Sequence, residues 1–329
     1  MSEPALNYVL CPDAASGHRM AYWQWGNPES PHVVVCVHGL SRQGRDFDML
    51  ARALCAKAGN NIRVVCPDVA GRGQSDWLKD PAAYQMPNYA IDMLALLAQL
   101  KPSPLDWVGT SMGGLIGMLV CGQLAANVQA QGSSGAGPSQ DARAPLGGSA
   151  AHAVASVGAL CTVRRLVLND VGPSIQWQAL QRIGEYLGQA VQFSSVQQAA
   201  DALWKNSTSF GPHTPAQWLA LSRHMVKPLG DATGRVTLHY DPNIAVPYGA
   251  VTQESVAQAE AMLWQLYDNI TASTLLTRGA QSDLLSRETA QAMMARGPKA
   301  RLVEFEGVGH APTFIADDQV QTVASFLLD

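Results

Sequence analysis

Residues 106–118 read DWVGTSMGGLIGM. A short apolar run of strand character leads into Gly109-Thr110-Ser111-Met112-Gly113, and an apolar stretch with helical spacing follows. In a strand–turn–helix arrangement the central serine takes a strained backbone conformation, and bulky neighbours two places away would collide. Gly109 and Gly113 remove that collision and leave the Ser111 hydroxyl projecting at the top of a sheet, near a helix N-terminus. A Gly/Ser helix cap without chemistry would look the same locally, so the rest of the chain must supply the partners a reactive serine needs.

Strand and helix patterns alternate on both sides of this stretch. Residues 5–11 and 18–25 read as two strands, and VVVCVHG at 33–39 as a strand buried on both faces. A helical pattern covers 46–58, and RVVCPD at 63–68 is the next strand. Ile91, Leu94, Leu97 and Leu100 mark an amphipathic helix over 88–100. LDWVG at 105–109 precedes the helix that runs from Ser111 to about Ala126. The pattern resumes with strands at 163–170, 273–279 and 301–307 and helices near 286–295 and 316–328. Such alternation predicts a mostly parallel sheet covered on both faces.

Two stretches break the rhythm. Residues 128–160 are rich in Gly, Ala, Ser and Pro and read as a flexible surface insert at the edge of the sheet remote from ligands. Residues 171–273 show helical periodicity with Trp177, Trp204, Trp218 and Trp264, and read as a helical cap with its tryptophans mostly in the core. The expected domains are therefore a core of 1–170 and 274–329 and a cap of 171–273.

Composition narrows the function. The 329 residues carry a net charge of −4 without Lys/Arg clusters, which argues against a nucleic-acid partner. MSEPALNYVL has no long apolar core and does not read as a secretory signal, and no run approaches the roughly 18 apolar residues of a membrane span. Six scattered cysteines form no CxxC pair and no metal-like spacing, so reduced thiols in a cytoplasmic protein are expected.

A serine nucleophile needs a base. Of eight histidines, only His38 and His310 leave sheet strands at the C-terminal edge, and His310 lies on the Gly-flanked loop GVGHAP. The base needs a carboxylate to orient it. Asp283, in AQSD after the strand 273–279, is the preferred candidate. Asp170, in LNDVGP after another strand, competes but reads as a turn cap because Gly-Pro follows. The developing oxyanion requires donors, expected from the backbone N–H groups of Met112 and Leu40. His38 then shapes the loop that carries Leu40. In PDVAGRGQSD at 67–76, Ser75 and Asp76 read as loop braces, and Arg42 and Arg72 as loop or surface residues that could otherwise meet a substrate carboxylate.

Taken together, VVVCVHGL, PDVAGRGQSD, GTSMGG, TRGAQSDLL and GVGHAP, in this order over residues 30–315, resemble the α/β-hydrolase family. The resemblance implies an α/β fold: an eight-stranded, mostly parallel sheet with helices on both faces and an inserted helical cap. Ser111, Asp283 and His310 fall in the family's nucleophile–acid–histidine order. A serine nucleophile argues against haloalkane dehalogenases and epoxide hydrolases, which use aspartate there. The expectation is a serine hydrolase cleaving carboxylic esters through an acyl-enzyme, with no metal or organic cofactor, no nucleic-acid or membrane partner, and a small ester-like substrate. A lactonase, thioesterase, amidase or carbon–carbon bond hydrolase would carry the same triad, and a ligand sensor on this fold is the alternative of a different class. Oligomeric state, homo-oligomer included, is left open by the sequence.

Overall fold

The computed structural model describes residues 3–13, 17–132 and 162–329. Eight strands form the main sheet: β1 (Ala5–Cys11), β2 (His18–Gly26), β3 (Val33–Val37), β4 (Arg63–Pro67), β5 (Leu105–Thr110), β6 (Val163–Asn169), and, after three short strands, β10 (Ser273–Gly279) and β11 (Arg301–Phe305). Their spatial order is β1-β2-β4-β3-β5-β6-β10-β11. Only β2 runs antiparallel to its neighbours; the remaining pairs are parallel.

The central strand shows why the sheet must be covered twice. Every residue of β3 is buried. Because side chains alternate across a strand, Val33, Val35 and Val37 enter one apolar cluster, and Val34 and Cys36 enter the other. The first cluster is closed by α2 (Met86–Leu100), α3 (Met112–Gly132) and a helix at Gln253–Asp268. The second is closed by α1 (Asp48–Lys57) and the last helix, Asp317–Leu328, through Leu50, Leu54, Val320, Val323 and Leu327. Each fully buried Val or Leu contributes about 1.5–3 kcal/mol of apolar transfer free energy.

The excursion between β6 and β10 differs from the expected all-helical cap in two ways. It contains a small antiparallel sheet, β7 (Gln192–Phe193), β9 (Val236–Leu238) and β8 (Val226–Pro228), with its own core of Phe193, Ala199, Val226 and Val236. Strands of two or three residues are too short to show an alternating pattern in sequence. Moreover, the helix at 253–268 belongs to the core layer: Tyr267 packs in the first main cluster with Leu263 and Trp264 against it, and the Tyr267 hydroxyl donates to Met293 O at 2.7 Å. The insert at 128–160 falls almost wholly outside the described residues; α3 extends through Gly132, beyond its expected end.

The excursion is tied to the sheet's C-terminal edge. The Tyr84 hydroxyl donates to Asp241 Oδ2 at 2.6 Å, Asp241 N–H donates to Gly71 O at 2.7 Å, and Gly73 N–H donates to His239 O at 3.0 Å. These bonds tie it to the turns that follow β4.

Candidate active site

Ser111 follows the last residue of β5 and precedes α3. Its φ is +51°, a left-handed conformation that costs free energy for a residue with a Cβ. Three backbone bonds hold it there: Ser111 N–H donates to Asn169 O at 3.0 Å, and Gly114 and Leu115 N–H donate to Ser111 O at 2.8 and 3.2 Å. The flanking glycines are required by close approach. A Cβ on Gly109 would overlap the Gly113 carbonyl, and a Cβ on Gly113 would overlap the Val37 carbonyl. The strand, turn and helix thus pack too tightly at this point for any side chain.

His310 lies beyond the end of β11, and its Nε2 is 3.0 Å from Ser111 Oγ. Its Nδ1 is 2.7 Å from Oδ2 of Asp170, not of Asp283. Asp170 is fully buried, at the end of β6, with φ +55°. Its Oδ1 accepts from Gly279 N–H at 2.9 Å and its Oδ2 from the Ser282 hydroxyl at 2.6 Å. The expectation that Asp283 orients His310 is therefore corrected. After β10 the chain turns through Ala280–Ser282, so that Ser282 faces the site while Asp283 points outward. Asp283 is 51% exposed, and its carboxylate accepts from Arg182 at 2.6 Å. The chain order Ser–Asp–His is unchanged by the exchange.

The loop after β3 lies against Ser111: a Cβ built on Gly39 would sit 3.7 Å from the Ser111 Cβ. Buried His38 sets that loop. Its Nε2 accepts from Val69 N–H at 2.9 Å, so Nδ1 carries the proton and donates to Gly39 O at 2.7 Å. Burial lowers its pKa to about 3 and keeps the ring neutral. Because the Gly39–Leu40 peptide is planar and trans, a carbonyl held toward the ring turns the Leu40 N–H away from it. Arg72 fixes the other side of Leu40. This fully buried guanidinium donates to Leu40 O at 2.9 Å, Ala70 O at 2.7 Å and the Tyr89 hydroxyl at 2.9 Å, and approaches Met112 Sδ at 3.8 Å. It is a loop brace away from the cleft, joining the two residues whose N–H groups the sequence singled out. Asp68 braces the neighbouring turns by accepting from Gly44 and Gln74 N–H at 2.7 and 2.8 Å. Ser75 and Asp76 serve similarly, on Ala21 N–H and Arg19.

Ser111 and His310 open into a cleft of about 300 Å³ between the sheet edge and the excursion. Apolar side chains including Ile183, Phe193, Leu203 and Phe210 line it, with no tryptophan among the described lining residues. Trp204 instead packs edge-on against Trp218, with centroids 5.0 Å apart. Two residues of the site escaped the sequence reading. Ser282 reaches Asp170, and Ser209 clamps the histidine loop: Gly309 N–H donates to Ser209 O at 2.5 Å, and the Ser209 hydroxyl donates to His310 O at 3.2 Å. A lone serine, in a turn for Ser282 and in a helical region for Ser209, carries no sequence signal for either role.

The other histidines and the cysteines lie apart. His18 bonds Asp92 at 3.1 Å, His32 bonds Asp106 at 2.7 Å and His213 bonds Thr313 at 2.9 Å; His152 and Cys161 lie outside the described residues. The five described cysteines are free and buried, and burial pushes the Cys55 thiol up to about 11 and Cys121 up to about 12. Among the described residues, the one grouping of metal-ligand types is Cys11, His18 and Asp92, whose candidate ligand atoms lie within 4.8 Å of one another. It is buried away from the cleft, and the His18–Asp92 hydrogen bond accounts for its imidazole and carboxylate.

Comparison with known proteins agrees with this geometry. The model of the alpha/beta hydrolase family matches residues 34–325. A 3-hydroxybutyrate-oligomer hydrolase of Cupriavidus necator is 44% identical over 326 residues, covering 99% of this chain and 98% of that protein. An alpha/beta hydrolase of known structure from Novosphingobium aromaticivorans is 31% identical, with a TM-score of 0.74 over 99% of each chain. The thioesterase domain from the curacin biosynthetic pathway shares the fold at 21% identity, with a TM-score of 0.67 over 99% of this chain and all of that one. The chain belongs to the alpha/beta hydrolase family.

Proposed function

We propose that this protein is a serine hydrolase that cleaves carboxylic esters of short hydroxy acids, the 3-hydroxybutyrate oligomers named for its Cupriavidus necator relative being the first substrates to test. The observation that carries the reading is the continuous chain Ser111 Oγ, His310 Nε2, His310 Nδ1, Asp170 Oδ2, with separations of 3.0 and 2.7 Å, on the wall of the cleft. Ser111 Oγ attacks the ester carbonyl while His310 Nε2 takes its proton. The buried Asp170 carboxylate holds Nδ1–H and stabilises the imidazolium. The Leu40 and Met112 N–H groups receive the oxyanion. His310 then passes the proton to the departing alkoxide, and the hydroxy acid or shortened oligomer leaves. Water, deprotonated by His310, hydrolyses the acyl-enzyme and regenerates the Ser111 hydroxyl. The five buried free thiols support a reducing compartment such as the cytoplasm, and no helix among the described residues is long and apolar enough to cross a membrane.

The test is turnover of p-nitrophenyl butyrate and of the 3-hydroxybutyrate dimer and trimer by wild type and Ser111→Ala. Wild type turns over all three, and Ser111→Ala, with unchanged circular dichroism, turns over none. Retained hydrolysis in the variant would remove Ser111 from the mechanism.

A further inference from the structure

The charge lining the cleft is one-sided. Among the described residues its only cations apart from His310 are Arg42 and Arg182, and no Asp or Glu lines it. Both arginines do have carboxylate partners, but these stand behind them. Arg42 donates through Nε and Nη2 to Asp46 at 2.6 and 2.8 Å, and Arg182 donates through Nε and Nη2 to Asp283 at 3.0 and 2.6 Å. Neither Asp46 nor Asp283 reaches the cleft wall. In each guanidinium the two N–H groups of Nη1 make no hydrogen bond among the described residues. Arg42 is anchored near the reacting serine, its Cγ lying 3.6 Å from where a Gly39 Cβ would be, and is only 12% exposed. Arg182, on the helix at Trp177–Tyr186, is 41% exposed. The rest of the wall is largely apolar, a low-dielectric surface on which a charged recognition group acts strongly.

We propose that Arg42 and Arg182 form a carboxylate subsite, so that the preferred substrate is an ester bearing its own free carboxylate beside the scissile bond. This rests on the ester-hydrolase reading above and narrows it from esters in general to anionic hydroxy-acid esters. A guanidinium already anchored by one carboxylate through Nε and Nη2 is rigid, and its free Nη1 can donate to a second carboxylate without reorganising. The backing aspartates also reduce the charge of the empty cleft, so product acid can leave.

The probes are the 3-hydroxybutyrate dimer as free acid and as its methyl ester, which differ only in that carboxylate. Wild type should show a higher kcat/KM on the acid. In Arg182→Met and Arg42→Met the acid-to-methyl-ester ratio should fall about tenfold, the scale of one lost charge-assisted hydrogen bond; Arg182→Lys should recover part of it. Arg301→Met, at the opposite edge of the sheet, should leave the ratio as in wild type. The same comparison by calorimetry on Ser111→Ala reads binding without turnover, so it decides the subsite even if the catalytic reading fails. Equal binding of acid and methyl ester, or a ratio unmoved in both methionine variants, would overturn the proposal. Absent turnover of p-nitrophenyl butyrate would instead overturn the hydrolase reading.

Discussion

Replacing Asp170 with Asn tests the site most sharply, because the structure allows the outcome to be worked through atom by atom. The carboxylate accepts three hydrogen bonds: Gly279 N–H on Oδ1 at 2.9 Å, and the Ser282 hydroxyl at 2.6 Å and His310 Nδ1 at 2.7 Å on Oδ2. An amide supplies one oxygen and two hydrogens. With the oxygen toward His310, the amide hydrogens confront Gly279 N–H inside a fully buried site. With the amide flipped, its N–H faces His310 Nδ1 and forces the proton onto Nε2, where it cannot accept one from Ser111. The second arrangement satisfies more donors, so it should dominate. The imidazolium also loses its buried counter-charge. Wrong tautomer and missing charge together should lower kcat on p-nitrophenyl butyrate about 10³- to 10⁴-fold, or about 4–5.5 kcal/mol of barrier. Stability should fall by about 1–3 kcal/mol in urea titrations. Asp283→Asn removes a half-exposed ion pair worth about 1 kcal/mol or less, and should keep kcat within about threefold on p-nitrophenyl butyrate, which has no carboxylate for Arg182 to hold. If Asp283→Asn were the inactive variant and Asp170→Asn active, the assignment of the acid would be refuted.

Two further predictions concern the loop that carries Leu40. Arg72→Met removes the donor to Leu40 O, so kcat should fall about tenfold with KM little changed, measured well below a melting temperature that itself drops. His38 has a folded pKa lowered to about 3 from 6.5, so between these values the unfolded chain binds a proton that the folded protein refuses. Stability is therefore lost as pH falls through this window, by about 2 kcal/mol between pH 6.5 and 5. Asp68, raised to about 6 by burial, acts in the opposite sense, so the contribution of His38 is read from the difference between wild type and His38→Asn. Parallel urea-stability curves for the two proteins over that range would sink this account.

The strand spacing, the mostly parallel sheet and the tight turn at Ser111 were legible in the sequence because the patterns that mark them are local. VVVCV fits a strand buried on both faces, as β3 is, and the glycines around Ser111 report a steric clearance that any fold with this turn must provide. His310 was legible because a Gly-flanked loop at a strand end leaves few alternatives. The acid was not. Asp170 and Asp283 follow β6 and β10, adjacent parallel strands whose C-terminal ends meet the same edge, and either satisfies the order Ser–Asp–His. What separates them is the backbone. Asp170 turns inward at φ +55° directly after its strand, whereas three residues of turn carry Asp283 past the site to Arg182. In sequence the Gly-Pro after Asp170 suggests a turn cap; in the fold the left-handed turn there aims the carboxylate at His310. The cleft was equally hidden, since Arg182, Phe193 and Phe210 converge on it from separate segments of an excursion whose short strands carry no periodic signature. Local sterics, written in neighbouring residues, thus determined the strained serine turn and its scaffold. The acid and the substrate wall depend on where distant turns come to rest, which only the packed tertiary structure decides.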